Sequence, residues 1–170
     1  MMSSRSSHGG ANLESALFVA IMQVADVLGS AAERVVKSTG LTSAQYNVLR
    51  ILRGAGREGL ACREIGERMI SRDPDITRLL DRMEKHELIT RERQSDDRRV
   101  VKTFVTPAGL QLLKTLDQPV RELHKKQFER LNAKQLNALA RLLRELNTER
   151  TAICEESKSN ARRPASGNTE

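Results

Sequence analysis

Five cations, Arg91, Arg93, Arg98, Arg99 and Lys102, stand within twelve residues and are interleaved with Glu92, Asp96 and Asp97. A guanidinium offers planar paired donors, which suit a phosphate or the O6/N7 edge of guanine. An arginine carried on a turn also suits a narrow minor groove, where the negative potential is enhanced. Asp97-Arg98-Arg99 sits in the polar turn of this stretch, with Asp97 placed to hold a guanidinium in one pose. The competing reading is a solvated turn with a local ion pair of little energetic weight. The preference for Arg over Lys favours the first.

A second group lies upstream. If Ile76, Leu79, Leu80 and Met83 are buried on one helix face, the opposite face carries Arg78, Asp81, Arg82 and Lys85, flanked by Asp75 and Thr77. Arg78 suits guanine, and Thr77 suits a thymine methyl or a phosphate. Ser71 and Arg72, just before the helix, suit phosphate, helped by the free N–H groups of a helix start. Asp73 reads as the N-cap and Pro74 as the first helical residue. Asp75 then accepts from cytosine N4 or orients Arg78 or Arg72. Cations on a helix are ordinarily just a solvated face, so this pattern gains weight from what positions it.

The positioning elements are legible from period and punctuation. Leu13, Leu17, Ile21, Val24, Leu28, Ala31 and Val35 recur at helical steps over 13–37, ending at Gly40. Thr42 caps a second helix to about 53, with Tyr46, Leu49, Ile51 and Leu52 inward. Gly54, Gly56 and Gly59 mark a loop, and a short helix follows over 62–69. The cation-bearing helix runs to about His86. Two strands, 88–94 and 100–105, form a hairpin around Ser95-Asp96-Asp97. Thr106-Pro107 opens another helix, in which Pro119 predicts a kink or break. Asn132 with Gln135 caps a last leucine-striped helix to about 153. Helix, tight turn, helix and hairpin make a winged helix, whose second helix reads the major groove.

Composition agrees with a polyanionic partner. The 170 residues carry a formal charge of +7, spread along the chain. With one Tyr, three Phe and no Trp, recognition by base stacking on aromatic platforms is disfavoured. Two cysteines, Cys62 and Cys154, point to a reducing, cytoplasmic setting. The longest apolar run, 16–22, is far short of a membrane span, so no membrane partner is expected. Residues 1–11 read as a disordered arm and 157–170 as a disordered tail around a single domain, 12–156.

Enzymatic function is not expected: there is no nucleophile–base constellation, phosphate-binding loop or paired-carboxylate motif. No cofactor or metal is expected either, since Cys62, Cys154, His8, His86 and His124 form no ligand-spaced pair. Cys62, at a helix start beside Arg63, leaves a cysteine-based redox-sensing regulator as one alternative. A non-specific architectural DNA-binding protein is the other.

The stretches LTSAQYNVLRIL, CREIGERM, DITRLLDRMEKHELITRER and DDRRVVKTFVTPAGLQLL together resemble the MarR family of winged-helix regulators, over about 41–146. The Asp-Arg-Arg followed by Thr-Pro-Ala-Gly is the most specific piece. The resemblance implies a mainly α fold with a small β-hairpin wing. It implies a winged helix-turn-helix at about 41–106, flanked by dimerisation helices at about 13–37 and 107–155. It also implies a homodimer on palindromic double-stranded DNA that regulates transcription, and it maps Arg98 to the wing arginine and Asp97 to its supporting acid. Asp75, Thr77, Arg78 and Arg82 fall in the recognition helix. A small-molecule effector is further implied, often an anionic phenolic in a pocket between the two regions. Tyr46 and Phe18 are the aromatic candidates to line it, with core packing the favoured role for both. One departure is Glu87, where the family usually has Gly; Glu87 must then take a left-handed conformation or end the helix differently.

Overall fold

The computed structural model describes residues 12–71, 75–93 and 100–147. Helix α1 (Leu13–Lys37) has Glu14 in its first turn and Arg34 and Lys37 in its last, complementing the helix dipole. Its last turns pack on the body of the molecule, where Val36 is buried, and Gln127 Nε2 donates to the Leu28 carbonyl at 3.2 Å. Towards its start the stripe is bare: Leu13, Leu17, Phe18, Met22 and Val27 are all exposed. The apolar run 16–22 is part of a longer helix. Helix α1 is long and apolar enough to cross a membrane by length and composition, with mean hydropathy 1.6 over an 18-residue window. Asp26 and Glu33 interrupt it, and a helix shared between two packing surfaces has the same composition.

Helix α2 (Ser43–Ala55) opens on a reciprocal cap, in which Thr42 Oγ1 accepts from Gln45 N and Gln45 Oε1 accepts from Thr42 N. It is the central pillar: Val48, Leu49 and Leu52 have no exposed surface. Tyr46 and Ile51, expected inward, are half-buried. A single 3₁₀ turn (Gly56–Glu58) leads to β1 (Leu60–Ala61) and α3 (Cys62–Arg68). Next come α4 (Ile76–Lys85), β2 (Ile89–Arg93) and β3 (Val101–Val105). The sheet is antiparallel in the order β1-β3-β2, with Ile89 opposite Val105 and Leu60 opposite Thr103. The expected hairpin is thus a three-stranded sheet, since β1 is too short to show an alternating pattern.

The cap of α4 also differs from expectation. The helix starts at Ile76 and its N-cap is Asp75, whose Oδ1 accepts from Arg78 N at 3.3 Å, two residues later than the Asp73-Pro74 start. Asp73 and Pro74 themselves lie outside the described residues. Leu79, Leu80 and Met83 are buried as expected.

Glu87 ends α4 in the left-handed region at φ +56°. Its N–H donates to the Glu84 carbonyl at 2.9 Å, and Leu88 N donates to Met83 O at 3.0 Å, closing the helix end. A side chain in that conformation costs about 1–2 kcal/mol. Glu87→Gly relieves it but adds freedom to the unfolded chain, so a net stabilisation of about 0.5–1 kcal/mol is expected in denaturant unfolding. A destabilised variant would show that the Glu87 side chain contributes contacts of greater worth.

Helix α5 (Pro107–Gln127) begins with Thr106 as N-cap and runs unbroken through Pro119, so the expected break does not occur. Proline deletes one backbone donor, whereas Leu113, Leu116 and Val120 anchor the helix on both sides of it. Helix α6 (Ala133–Leu146) carries the Asn132–Gln135 capping box. It buries no residue, and Leu139, Leu142, Leu143 and Leu146 are exposed. The core therefore sits between α2, α3, α4, the sheet and α5, with α1 and α6 as flanking helices that show leucine to solvent.

Candidate nucleic-acid interface

The two faces of α4 define the site. One face is the core; the other shows Thr77, Arg78, Arg82 and Lys85 to solvent. Arg78 is 83% exposed, and its Nε lies 3.1 Å from Asp75 Oδ2. Asp75 therefore both caps the helix and holds the arginine beside the helix start. At this exposure the pair adds little stability, but it restricts where the guanidinium goes. Ser71 is exposed at the end of the preceding segment. Arg72, Asp97, Arg98 and Arg99, expected at the same surface, lie outside the described residues.

The sequence reading grouped the hairpin cations as one cluster suited to duplex DNA, and the described stem separates them. Arg91 folds back on α4. Its Nη2 donates to Asp81 Oδ1 at 2.6 Å and Glu84 Oε2 at 2.5 Å, and its Nε donates to Glu84 Oε2 at 2.9 Å. These bonds, that to Glu84 foremost, raise the guanidinium above its already high ordinary pKa, so it stays charged. Strand alternation held the signal: Arg91 shares a sheet face with buried Ile89, two residues before it. Lys102, on the other sheet face, donates from Nζ to the Glu58 carbonyl at 2.9 Å in an exposed bond. Arg93 remains exposed.

Cys62 is half-buried, with Sγ 3.9 Å from Thr77 Oγ1. His8 and Cys154 lie outside the described residues. Among the described residues, no three His, Cys, Asp or Glu side chains gather as a metal-binding group would.

Between α1, α2, α5 and residues 69–71 lies a cavity of about 750 Å³. Tyr46, Asn47, Arg50, Ile70 and His124 contribute to its wall. The Arg50 guanidinium stands 5.7 Å from the Tyr46 ring centre, a cation–π contact. Phe18, the other aromatic candidate, is absent from the wall and is 65% exposed on α1. Asn47 Oδ1 accepts from Ile70 N at 2.8 Å, tying the cavity wall to the segment that leads into α4.

A model of the MarR family matches residues 41–101. The transcriptional repressor IacR of Pseudomonas putida is 30% identical over 111 residues, 65% of this chain and 65% of that relative. The match thus spans just under two thirds of its length. The crystal structure of a MarR transcription factor from Planctomyces limnophilus is 37% identical, with 79% of this chain and 98% of that one covered at a TM-score of 0.60. NadR, solved in complex with 4-hydroxyphenylacetate, is 26% identical, with 85% and 97% covered at a TM-score of 0.64.

Proposed function

Because the chain belongs to the MarR family of winged helix-turn-helix transcriptional regulators, we propose that it acts as a cytoplasmic homodimeric repressor on dyad-symmetric duplex DNA. The observation that carries this is the division of α4 into a buried apolar face and an exposed face headed by Arg78 on its Asp75 tether. In this reading α4 enters the major groove. Arg78 and Arg82 supply donors to base edges or phosphate, Thr77 supplies a methyl and a hydroxyl, and Ser71 and Arg72 grip the backbone. Arg98, supported by Asp97 and followed by Arg99, enters the minor groove beyond the hairpin stem. The flanking helices α1 and α6 pair with those of a second copy, setting two recognition helices about one DNA turn, ~34 Å, apart.

The cavity supports a small-ligand effector, because its wall includes residues 69–71 on the way into α4. A ligand changes DNA affinity only if it binds the two states of that segment unequally. The single domain of this reading spans residues 12–156.

Selection of bound sequences from random duplex DNA at stepped salt concentrations tests the proposal. A recovered palindrome with steep salt dependence is the expected result. Salt-sensitive binding with no recovered motif would instead identify an architectural, non-specific binder. Arg98→Ala is expected to weaken operator binding and reduce the log–log salt slope by about one.

A further inference from the structure

The exposed side of α4 carries two carboxylates, Asp81 and Glu84, at a surface that must approach a polyanion. Unpaired, each would repel phosphate. Both instead converge on one guanidinium from the hairpin stem. Arg91 is 27% exposed and makes three hydrogen bonds to the two acids. Its own strand position is fixed, because Arg91 pairs across the sheet with Thr103, which is buried. The bridge therefore runs from the middle of edge strand β2 to two successive turns of α4.

We infer that Arg91, Asp81 and Glu84 form a positioning clamp that fixes the hairpin stem at one angle to the recognition helix, so that both elements engage a single operator half-site together. The inference rests on the proposed DNA-binding reading. A fork with donors on Nε and Nη2 can hold two carboxylates at once; an ammonium keeps the charge without that geometry. Because Arg91 works through the hairpin and α4, it is a positioning residue and need not touch DNA. Asp81 and Glu84 then act in favour of operator recognition despite their negative charge.

The sign of the acid substitutions makes the test. Wild type, Arg91→Ala, Arg91→Lys and the double variant Asp81→Asn/Glu84→Gln are compared on the selected operator and on a random duplex of equal length. The clamp predicts that Arg91→Ala and the double variant each lower the ratio of operator to random-duplex affinity by about tenfold, the scale of one mismatched base pair. Arg91→Lys falls between. In hydroxyl-radical footprints, protection from the hairpin fades, whereas methylation protection of major-groove guanines by α4 persists. A simple charge account predicts the opposite for the double variant: losing two negative charges tightens binding to both duplexes and leaves their ratio intact. That result, or uniform loss of both protections in a folded double variant, would overturn the clamp. Should Arg91→Ala fail to fold, the double variant decides, since it substitutes near-isosteric side chains on the partly exposed side of α4. Absence of any operator footprint with wild type is a failure of the proposed function and is read separately.

Discussion

Leu143→Glu, on the exposed leucine stripe of α6, is expected to turn a dimer into a monomer and to weaken operator binding by about 100-fold or more. Leu143 is 44% exposed in the single chain, with Leu139, Leu142 and Leu146 beside it on the same helix. A glutamate at such a site leaves the protomer fold within about 0.5 kcal/mol of wild type. In a dimer interface, however, the same carboxylate is stripped of water with no partner, which costs several kcal/mol. Operator affinity falls because two half-sites bound through one dimer benefit from effective concentration, whereas two monomers bind independently. Sedimentation equilibrium gives the mass and a fluorescence titration gives the affinity. Wild type should sediment as two chains and the variant as one with unchanged helicity. A variant that stays dimeric would place the protomer contact elsewhere, and a monomer binding the palindrome as tightly as wild type would remove the need for a dimer.

The same pairing gives a physical account of α1. Its composition would suit a bilayer, yet its last turns are packed against the core and its start shows leucine and phenylalanine to solvent. In the proposed dimer two surfaces need apolar residues on this helix, one inside the chain and one facing a second copy. The sequence reading assigned this helix to dimerisation, but period alone does not reveal which neighbour covers each part of its stripe.

Elements whose signals are local were legible. Thr42 with Gln45, Asn132 with Gln135, and Thr106 before Pro107 each mark a helix start, because a cap acts over three residues. For Glu87 the family resemblance left two outcomes open, a left-handed residue or a different helix end, and the first is found. What escaped depends on distance along the chain. Strand β1 exists through its pairing with β3, some forty residues on. The inward turn of Arg91 depends on Asp81 and Glu84 in another element. Asp75 takes the cap that the sequence reading gave to Asp73, because two acids two residues apart fit the same local rule. In the candidate site, the exposed face of α4 was legible and the clamp beneath the hairpin was not.

Gly109→Ala carries the second large effect, and it bears on how α4 and the hairpin are joined to α5. Thr106 N donates to Leu88 O at 3.1 Å, and Thr106 Oγ1 donates to Glu87 O at 2.6 Å while accepting from Gly109 N at 3.1 Å. The end of α4, the start of β2 and the start of α5 therefore meet at one threonine. Gly109 lies in the first turn of α5, directly against this joint. A methyl added there would strike the Leu88 carbonyl oxygen, with Val105 Cγ2 at 2.9 Å and Leu49 Cδ2 at 3.1 Å on its other sides. The first obstacle is backbone and the others are packed side chains of the core, so the strain cannot be relieved by one rotamer change. Overpacking of this kind, with the Thr106–Leu88 bond stretched, should cost about 2–4 kcal/mol, or on the order of 10 °C in Tm. Calorimetry measures this directly. Gly109 is not at positive φ, so the requirement is for space and not for backbone freedom. The control is Ala108→Gly one residue earlier, an exposed position that lacks such a neighbour and should change stability by about 1 kcal/mol or less. If Gly109→Ala melts within a degree or two of wild type, the joint is looser than its hydrogen bonds imply. The hairpin and α5 would then not move as one body, and a ligand in the cavity would have a weaker route from α5 to the DNA-reading surface.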